Sequence, residues 1–206
     1  MKSEMMNLFA TPLYRGALER PFTEAELQFF KQELGEPMLA ISNHSSRNKL
    51  VLDAAPMQDL RASLQDHLDN YFKTVFDTSN DVRLKITQSW LTLTRRNESH
   101  HLHTHPNSIA SGVVYINLAP NDGIKFFRND DLLWYELMRK NDNYYNASSY
   151  QINTQVGDII IFPSNVKHGV KEVVDDIERV SLSFNTFFEG ELGREEFSNA
   201  LRLSLK

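Results

Sequence analysis

At residue 82 the hydrophobic pattern changes period, and this change limits what the chain can fold into. Before it, apolar residues recur at helical spacing. After it, they alternate with polar residues or run in short β-branched and aromatic blocks. VRLKITQSWLTLTR, SGVVYINLA, GIKFFR, GDIIIFP, GVKEVV and ERVSLSFNTFF all read as strands. Turn formers separate them: PNDG at 120–123, NDNYYN at 141–146, VGD at 156–158, PSN at 163–165 and DD at 175–176. Short strands with regular turns and no βαβ alternation predict a mainly β fold with flanking helices. The expected architecture is an antiparallel sandwich or barrel, such as a jelly roll, and not a doubly wound parallel sheet.

The N-terminal part supports that barrel. NLFATPLYRGAL predicts a short opening strand broken by Pro12. Thr23 and Glu26 have the spacing of a capping box, ahead of a helix with Leu27, Phe30 and Leu34 on one face. The polar ISNHSSRNK reads as a loop. Pro56 can open a second helix at its first position. Its apolar stripe is Leu60, Leu64, Leu68, Tyr71 and Val75, ending near Asp77. Residues 130–149 read as a long loop, a length common in functional segments. GELGREEFSNALRLSL reads as a closing helix. The expected organisation is one domain over 1–206: an N-terminal strand and supporting helices over 1–80 packed on the outside, a β-barrel core over 82–188 and a C-terminal helix over 191–206.

Composition removes several classes of function. The chain has no cysteine, so disulfides, iron–sulfur clusters, Cys-bearing zinc sites and thiol nucleophiles are excluded. Any metal must be held by His, Asp or Glu. A net charge of −5 gives no electrostatic footprint for nucleic acid. No stretch of about 20 apolar residues is present to span a bilayer, and the first residues lack the apolar run of a signal peptide. The expected location is the cytoplasm. A homodimer is compatible with the sequence.

The segment HHLHTHP, residues 100–106, holds four of the seven histidines. In an extended segment, residues two apart point the same way. His101, His103 and His105 then share a face and His100 points away. Same-face imidazoles can bind one divalent ion, but a histidine-rich loop in solvent has the same composition. A stable site needs a further ligand, from His44, His67 or His168. His67 lies beside a helical stripe and His44 in a polar loop. His168 follows the apolar strand GDIIIFP and a proline turn, where it is well placed to face a barrel interior.

In ERVSLSFNTFF, alternation sets Val180, Leu182 and Phe184 against Arg179, Ser181, Ser183 and Asn185. An Arg and a Ser two apart on an inward face form a carboxylate receptor, a bidentate fork plus one hydroxyl donor. An isolated Arg on a polar face more often reaches solvent. Ser111, Val113, Tyr115 and Asn117 alternate together, and Tyr115 and Asn117 can line the same pocket. Trp90 reads as core. Trp134, Tyr135, Tyr144 and Tyr145, in the 130–149 loop, are candidates to cover a mouth and touch substrate.

Together, HTHPNSIASGVVY (103–115) and GDIIIFPSNVKHGVKEVVDDIERVSLSFN (157–185), with QSWLTLTR before them, resemble 2-oxoglutarate- and Fe(II)-dependent oxygenases related to prolyl 4-hydroxylases. The resemblance covers roughly residues 88 to 187. It implies a double-stranded β-helix with Fe(II) near one mouth. His103 takes the first histidine position, His168 the distal one, and Arg179 and Ser181 the far carboxylate of 2-oxoglutarate, with Tyr115 and Asn117 as further candidates to hydrogen-bond it. His105 falls where most of the superfamily has Asp or Glu. It either ligates as a third imidazole or stands beside the iron while water or chloride completes the shell. His101 is the alternative if the register is shifted by two, and Glu98 is a second candidate for the missing carboxylate. The implied reaction uses O2 and 2-oxoglutarate to hydroxylate a C–H bond of a peptidyl or small-molecule substrate, releasing succinate and CO2. Two other readings fit the same residues: a three-His, cupin-like metal dioxygenase without 2-oxoglutarate, and a non-catalytic metal- or ligand-binding jelly roll.

Overall fold

In the computed structural model, residues 2–128 and 138–205 are described. In chain order the elements are β1 (Tyr14–Ala17), α1 (Glu24–Glu33), β2 (Met38–Leu39), β3 (His44–Ser45), α2 (Gln58–Phe76), β4 (Val82–Thr94), β5 (His100–His103), β6 (Ala110–Asn117), β7 (Gly123–Phe127), β8 (Ser149–Asn153), β9 (Asp158–Pro163), β10 (His168–Val170), β11 (Arg179–Leu192) and β12 (Leu201–Leu203). A large sheet runs β1-β9-β6-β11-β4-β3-β2, with β12 added to β11. A smaller sheet runs β5-β10-β7-β8. Among the described residues, these strands pair antiparallel throughout both sheets. The two sheets face each other as a jelly roll.

Strand alternation feeds two cores from the same residues. On β9, Ile159 and Ile161 face the helices while Ile160 and Phe162 face the smaller sheet. On β6, Val114 faces the helices, and Val113 and Tyr115 face inward. Strands buried on both faces read as nearly continuous apolar runs, which is why GDIIIFP looks uniform. The outer core joins Leu60, Leu64 and Leu68 of α2 to Leu84, Leu91, Leu182 and Phe184 of the large sheet. Hydrogen bonds from Arg61 Nη2 to the carbonyl of Ile86 (3.1 Å) and from Gln65 Nε2 to that of Leu84 (2.8 Å) tie the helix to β4. The packing is close: a Cβ on Gly112 would fall 2.1 Å from the Phe184 ring. The inner core holds Val113, Tyr115, Ile160 and Phe162 against Ile124 and Phe126 of the smaller sheet.

The capping box of Thr23 and Glu26 is present. Glu26 is buried, and Arg20 grips both its oxygens at 2.6 and 2.8 Å. This charge pair takes the place the stripe gave to Leu27, which is exposed. Pro56 lies in a 3-10 turn just before α2, and Asp77 ends that helix in a left-handed conformation.

Three expectations are corrected. In place of the helix expected over 191–206, the described residues 191–205 hold no α-helix: β11 continues to Leu192, Gly193 turns at φ 76°, and β12 pairs back as Leu192↔Leu201 and Gly190↔Leu203. Strand pairing outcompetes the helical spacing of the leucines. The ISNHSSRNK segment contributes β3 to the edge of β4, because Ser46 Oγ accepts from the amide of Leu91 (3.0 Å) and Ser46 N donates to its carbonyl (2.9 Å). Within the 130–149 loop, Ser149 already begins β8, which pairs with β7.

Candidate metal and cosubstrate site

One mouth of the barrel opens as a cleft lined by, among others, His100, His103, His105, His168, Tyr115 and Arg179. The smaller sheet builds one side. His168 on β10 stands opposite His103 on β5, and Val170 opposite His100. Between those pairs β5 advances one residue more than β10, the signature of a β-bulge. The bulge cancels the alternation that set His100 outward. Its ring lines the cleft, stacked on His103 with centroids 4.5 Å apart. His105 lies just past β5, where its amide donates to the carbonyl of Ser164 (2.9 Å).

His103, His105 and His168 present their Nε2 atoms to one another: 3.1 Å between His103 and His105, 3.2 Å between His105 and His168. Each Nδ1 faces an acceptor. His103 Nδ1 donates to the carbonyl of His101 (2.8 Å), His168 Nδ1 to that of Val166 (2.9 Å), and His105 Nδ1 to Asn185 Oδ1 (2.7 Å). Protonation at Nδ1 leaves the lone pair at Nε2. Three lone pairs this close repel unless a cation sits among them. Second partners that fix ring and tautomer in this way are typical of metal-ligating imidazoles. With metal–nitrogen bonds of about 2.1 Å, a right angle spans about 3.0 Å and a tetrahedral angle about 3.4 Å. The observed separations fall between these two values, so the three nitrogens are spaced to share one ion.

The electrostatics agree. Burial, with the neighbouring imidazoles adding to it, lowers the pKa of His105 to about 4 and of His168 to about 3, and burial also lowers that of His103. The rings are unprotonated at neutral pH. No carboxylate joins them among the described residues. Glu98 is engaged elsewhere: its Oε2 accepts from the amide of Arg95 (2.8 Å), and its Oε1 lies 3.2 Å from His44 Nδ1. His67 pairs with Tyr14 Oη at 2.8 Å. His101 forms a second close group with His100 and His103, but its carbonyl already orients His103.

The large sheet builds the other side of the cleft. Arg179 is fully buried. Its Nε donates to Asp122 Oδ2 (2.8 Å), while Nη1 reaches Ser181 Oγ at 3.5 Å and Nη2 the carbonyl of Gly123 at 3.4 Å. The Nη edge thus holds only long contacts. Tyr115 lies under the guanidinium, 5.6 Å from its ring centre. Tyr115 Oη and the nearby Thr154 Oγ1 are buried without an aligned hydrogen-bond partner. A two-armed donor edge beside unsatisfied hydroxyls suits a carboxylate, and the donor chemistry here fits 2-oxoglutarate.

Asn117 is a correction. It is exposed and its Nδ2 donates to the carbonyl of Glu178 (2.7 Å). Tyr115 pairs with Ser181 and Asn117 with Val180, which leaves Ile116 as a bulge and ends the inward alternation at Tyr115. Trp90 is also misassigned by its sequence context: it is half-buried and stacks on His105 at 5.6 Å. Trp134 and Tyr135 lie outside the described residues. Tyr144 and Tyr145 are exposed and pack on each other. Sequence reasoning missed His100, Asp122 and Thr154. Asp122 stands in the PNDG turn, whose signal is structural, and His100 depends on a bulge that leaves no mark in composition.

Residues 88–185 match the family described as "Putative 2OG-Fe(II) oxygenase". No curated protein matches the chain. Among solved structures, the fold is similar to that of an oxidoreductase of the 2OG-Fe(II) oxygenase family from Burkholderia pseudomallei, at 14% identity over 84% of this chain and 83% of that one, with a TM-score of 0.55. It is similar to HygX from Streptomyces hygroscopicus with nickel, 2-oxoglutarate and hygromycin B bound, at 13% identity over 85% and 82%, TM-score 0.54. A Pseudomonas putida prolyl-4-hydroxylase matches at 16% identity over 85% and 92%, TM-score 0.51. At these identities the likeness establishes the fold.

Proposed function

We propose that this chain is an oxygenase using Fe(II), 2-oxoglutarate and O2, as the family match over residues 88–185 supports, and we assign the residues that serve it. His103, His105 and His168 hold the iron, and Arg179 with Ser181 and Tyr115 receives the far carboxylate of 2-oxoglutarate. The whole chain acts as one oxygenase domain, with its N-terminal helices covering the outer face of the large sheet. The reaction is hydroxylation of a C–H bond in a peptidyl or small-molecule substrate, with release of succinate and CO2. The convergence of three Nε2 atoms, each with its Nδ1 tied to an acceptor, carries this reading.

When bound, Fe(II) supplies the O2 chemistry that couples decarboxylation of 2-oxoglutarate to attack on the substrate. The chain's own residues prepare for it. Asn185, Val166 and His101 hold each imidazole in the tautomer that offers Nε2. Arg179 offsets a carboxylate in a water-poor pocket, where an unpaired charge is costly to bury. Phe162 and Ile124 line the cleft and restrict water.

Adding 2-oxoglutarate anaerobically to the Fe(II) protein should produce a weak visible metal-to-ligand charge-transfer band. Arg179→Ala should remove it at the same concentration. The pairing of Arg179 with Asp122 favours one alternative, a three-His dioxygenase in which that Arg is structural. No band in the intact metal-loaded protein would favour that alternative, whereas a band untouched by Arg179→Ala would overturn Arg179 as the cosubstrate receptor.

A further inference from the structure

Asp122 is a buried acid beside the cosubstrate receptor that the three-imidazole site leaves unexplained. Its side chain is 10% exposed and that of Arg179 is 2% exposed. The Asp122 carbonyl accepts from the amide of Thr154 (3.0 Å), its own amide donates to Ala119 (3.3 Å), and its Oδ1 accepts from the amide of Gly123. The acid is thus locked into the PNDG turn before it meets Arg179. It occupies Nε, the one guanidinium donor that could turn the fork sideways. Nη1 and Nη2 are left on the cleft side, with contacts of 3.5 and 3.4 Å only.

Charge gives Asp122 a second part. A divalent ion held by three neutral imidazoles keeps both its charges, whereas a carboxylate in the ligand set would cancel one. Bound 2-oxoglutarate is a dianion and matches the ion alone. Arg179 would then leave one positive charge in excess within the closed pocket, and Asp122 cancels it. We propose that Asp122 is a positioning residue for Arg179 that also carries the negative charge missing from the metal ligands, at the opposite end of the cosubstrate. Resting on Arg179 as the cosubstrate receptor, this adds a residue that aims the receptor and weakens its hold on 2-oxoglutarate enough to keep binding reversible.

The two parts separate in two variants. Asp122→Ala removes both the acceptor and the charge, so the fork is free to swing. Asp122→Asn keeps an acceptor for Nε and removes only the charge. Calorimetric titration of 2-oxoglutarate into the Mn(II)-loaded proteins reads affinity without turnover. Asp122→Ala should bind at least about tenfold more weakly than wild type, as a bidentate charge-assisted pair is lost. Asp122→Asn should bind roughly threefold or more tightly, because an excess positive charge then faces the dianion. Unchanged binding in a folded Asp122→Ala, or unchanged or weaker binding in Asp122→Asn, overturns the proposal. Should Asp122→Ala not fold, Asp122→Asn alone decides. Wild-type protein that takes up Mn(II) but no 2-oxoglutarate would instead sink the function proposed above, and this inference with it.

Discussion

Asn185 presents one oxygen to two donors, His105 Nδ1 and Ser111 Oγ, at 2.7 and 2.9 Å, while its amide nitrogen donates to Gln88 Oε1 at 3.2 Å. That network decides which nitrogen of His105 carries the proton. Asn185→Ala should therefore weaken divalent metal binding by about 10- to 100-fold, the usual effect of losing an orienting partner. Competition with a chromophoric chelator measures it, and unchanged affinity would contradict the role. The alternation of Arg179, Ser181, Ser183 and Asn185 was readable in the sequence, so the polar face was legible. The task of Asn185 was not, since His105 is 80 residues away along the chain and only the fold brings them together. Asn117 fits the same two-residue rule and fails it in three dimensions, because one inserted residue separates it from Tyr115.

Elements were legible where one physical signal dominated. The leucine stripe of α2 and the apolar blocks of β6, β9 and β11 follow from burial alone, and Leu60, Leu64 and Leu68 are all fully buried. Leu64→Ala should cost about 2–5 kcal/mol of stability, the range for a buried leucine that leaves a cavity. Urea unfolding checks this. Metal stoichiometry should stay unchanged, because Leu64 packs on the face of the large sheet opposite the cleft. Elements were illegible where two signals competed. The last residues have helical leucine spacing, yet Gly190 and Gly193 adopt positive φ and let β12 fold back on β11. The bulge in β5 is likewise invisible in a run of histidines, and it carries His100 into the cleft.

At the scale of the whole molecule, the large sheet is shared between two tasks. Its outer face is closed by the helices through an apolar core, and its inner face carries Arg179, Ser181 and Asn185 toward the cleft. The smaller sheet adds His103 and His168. Neither sheet holds a complete site. No helix among the described residues is long and apolar enough to cross a membrane. The jelly roll and the segments that meet at its mouth could be read from sequence, because strand order and turn chemistry are local. The charge balance could not, since Asp122 and Arg179 meet only after folding.

Imidazoles from two distant segments are proposed to share one divalent ion. Anaerobic titration with Co(II), in place of Fe(II), tests it most directly. A single tightly bound ion per chain is expected, lost in His103→Ala, His105→Ala and His168→Ala and kept in His67→Ala. A wild-type chain that binds no stoichiometric ion, or a His168→Ala chain that binds it as tightly, would contradict it.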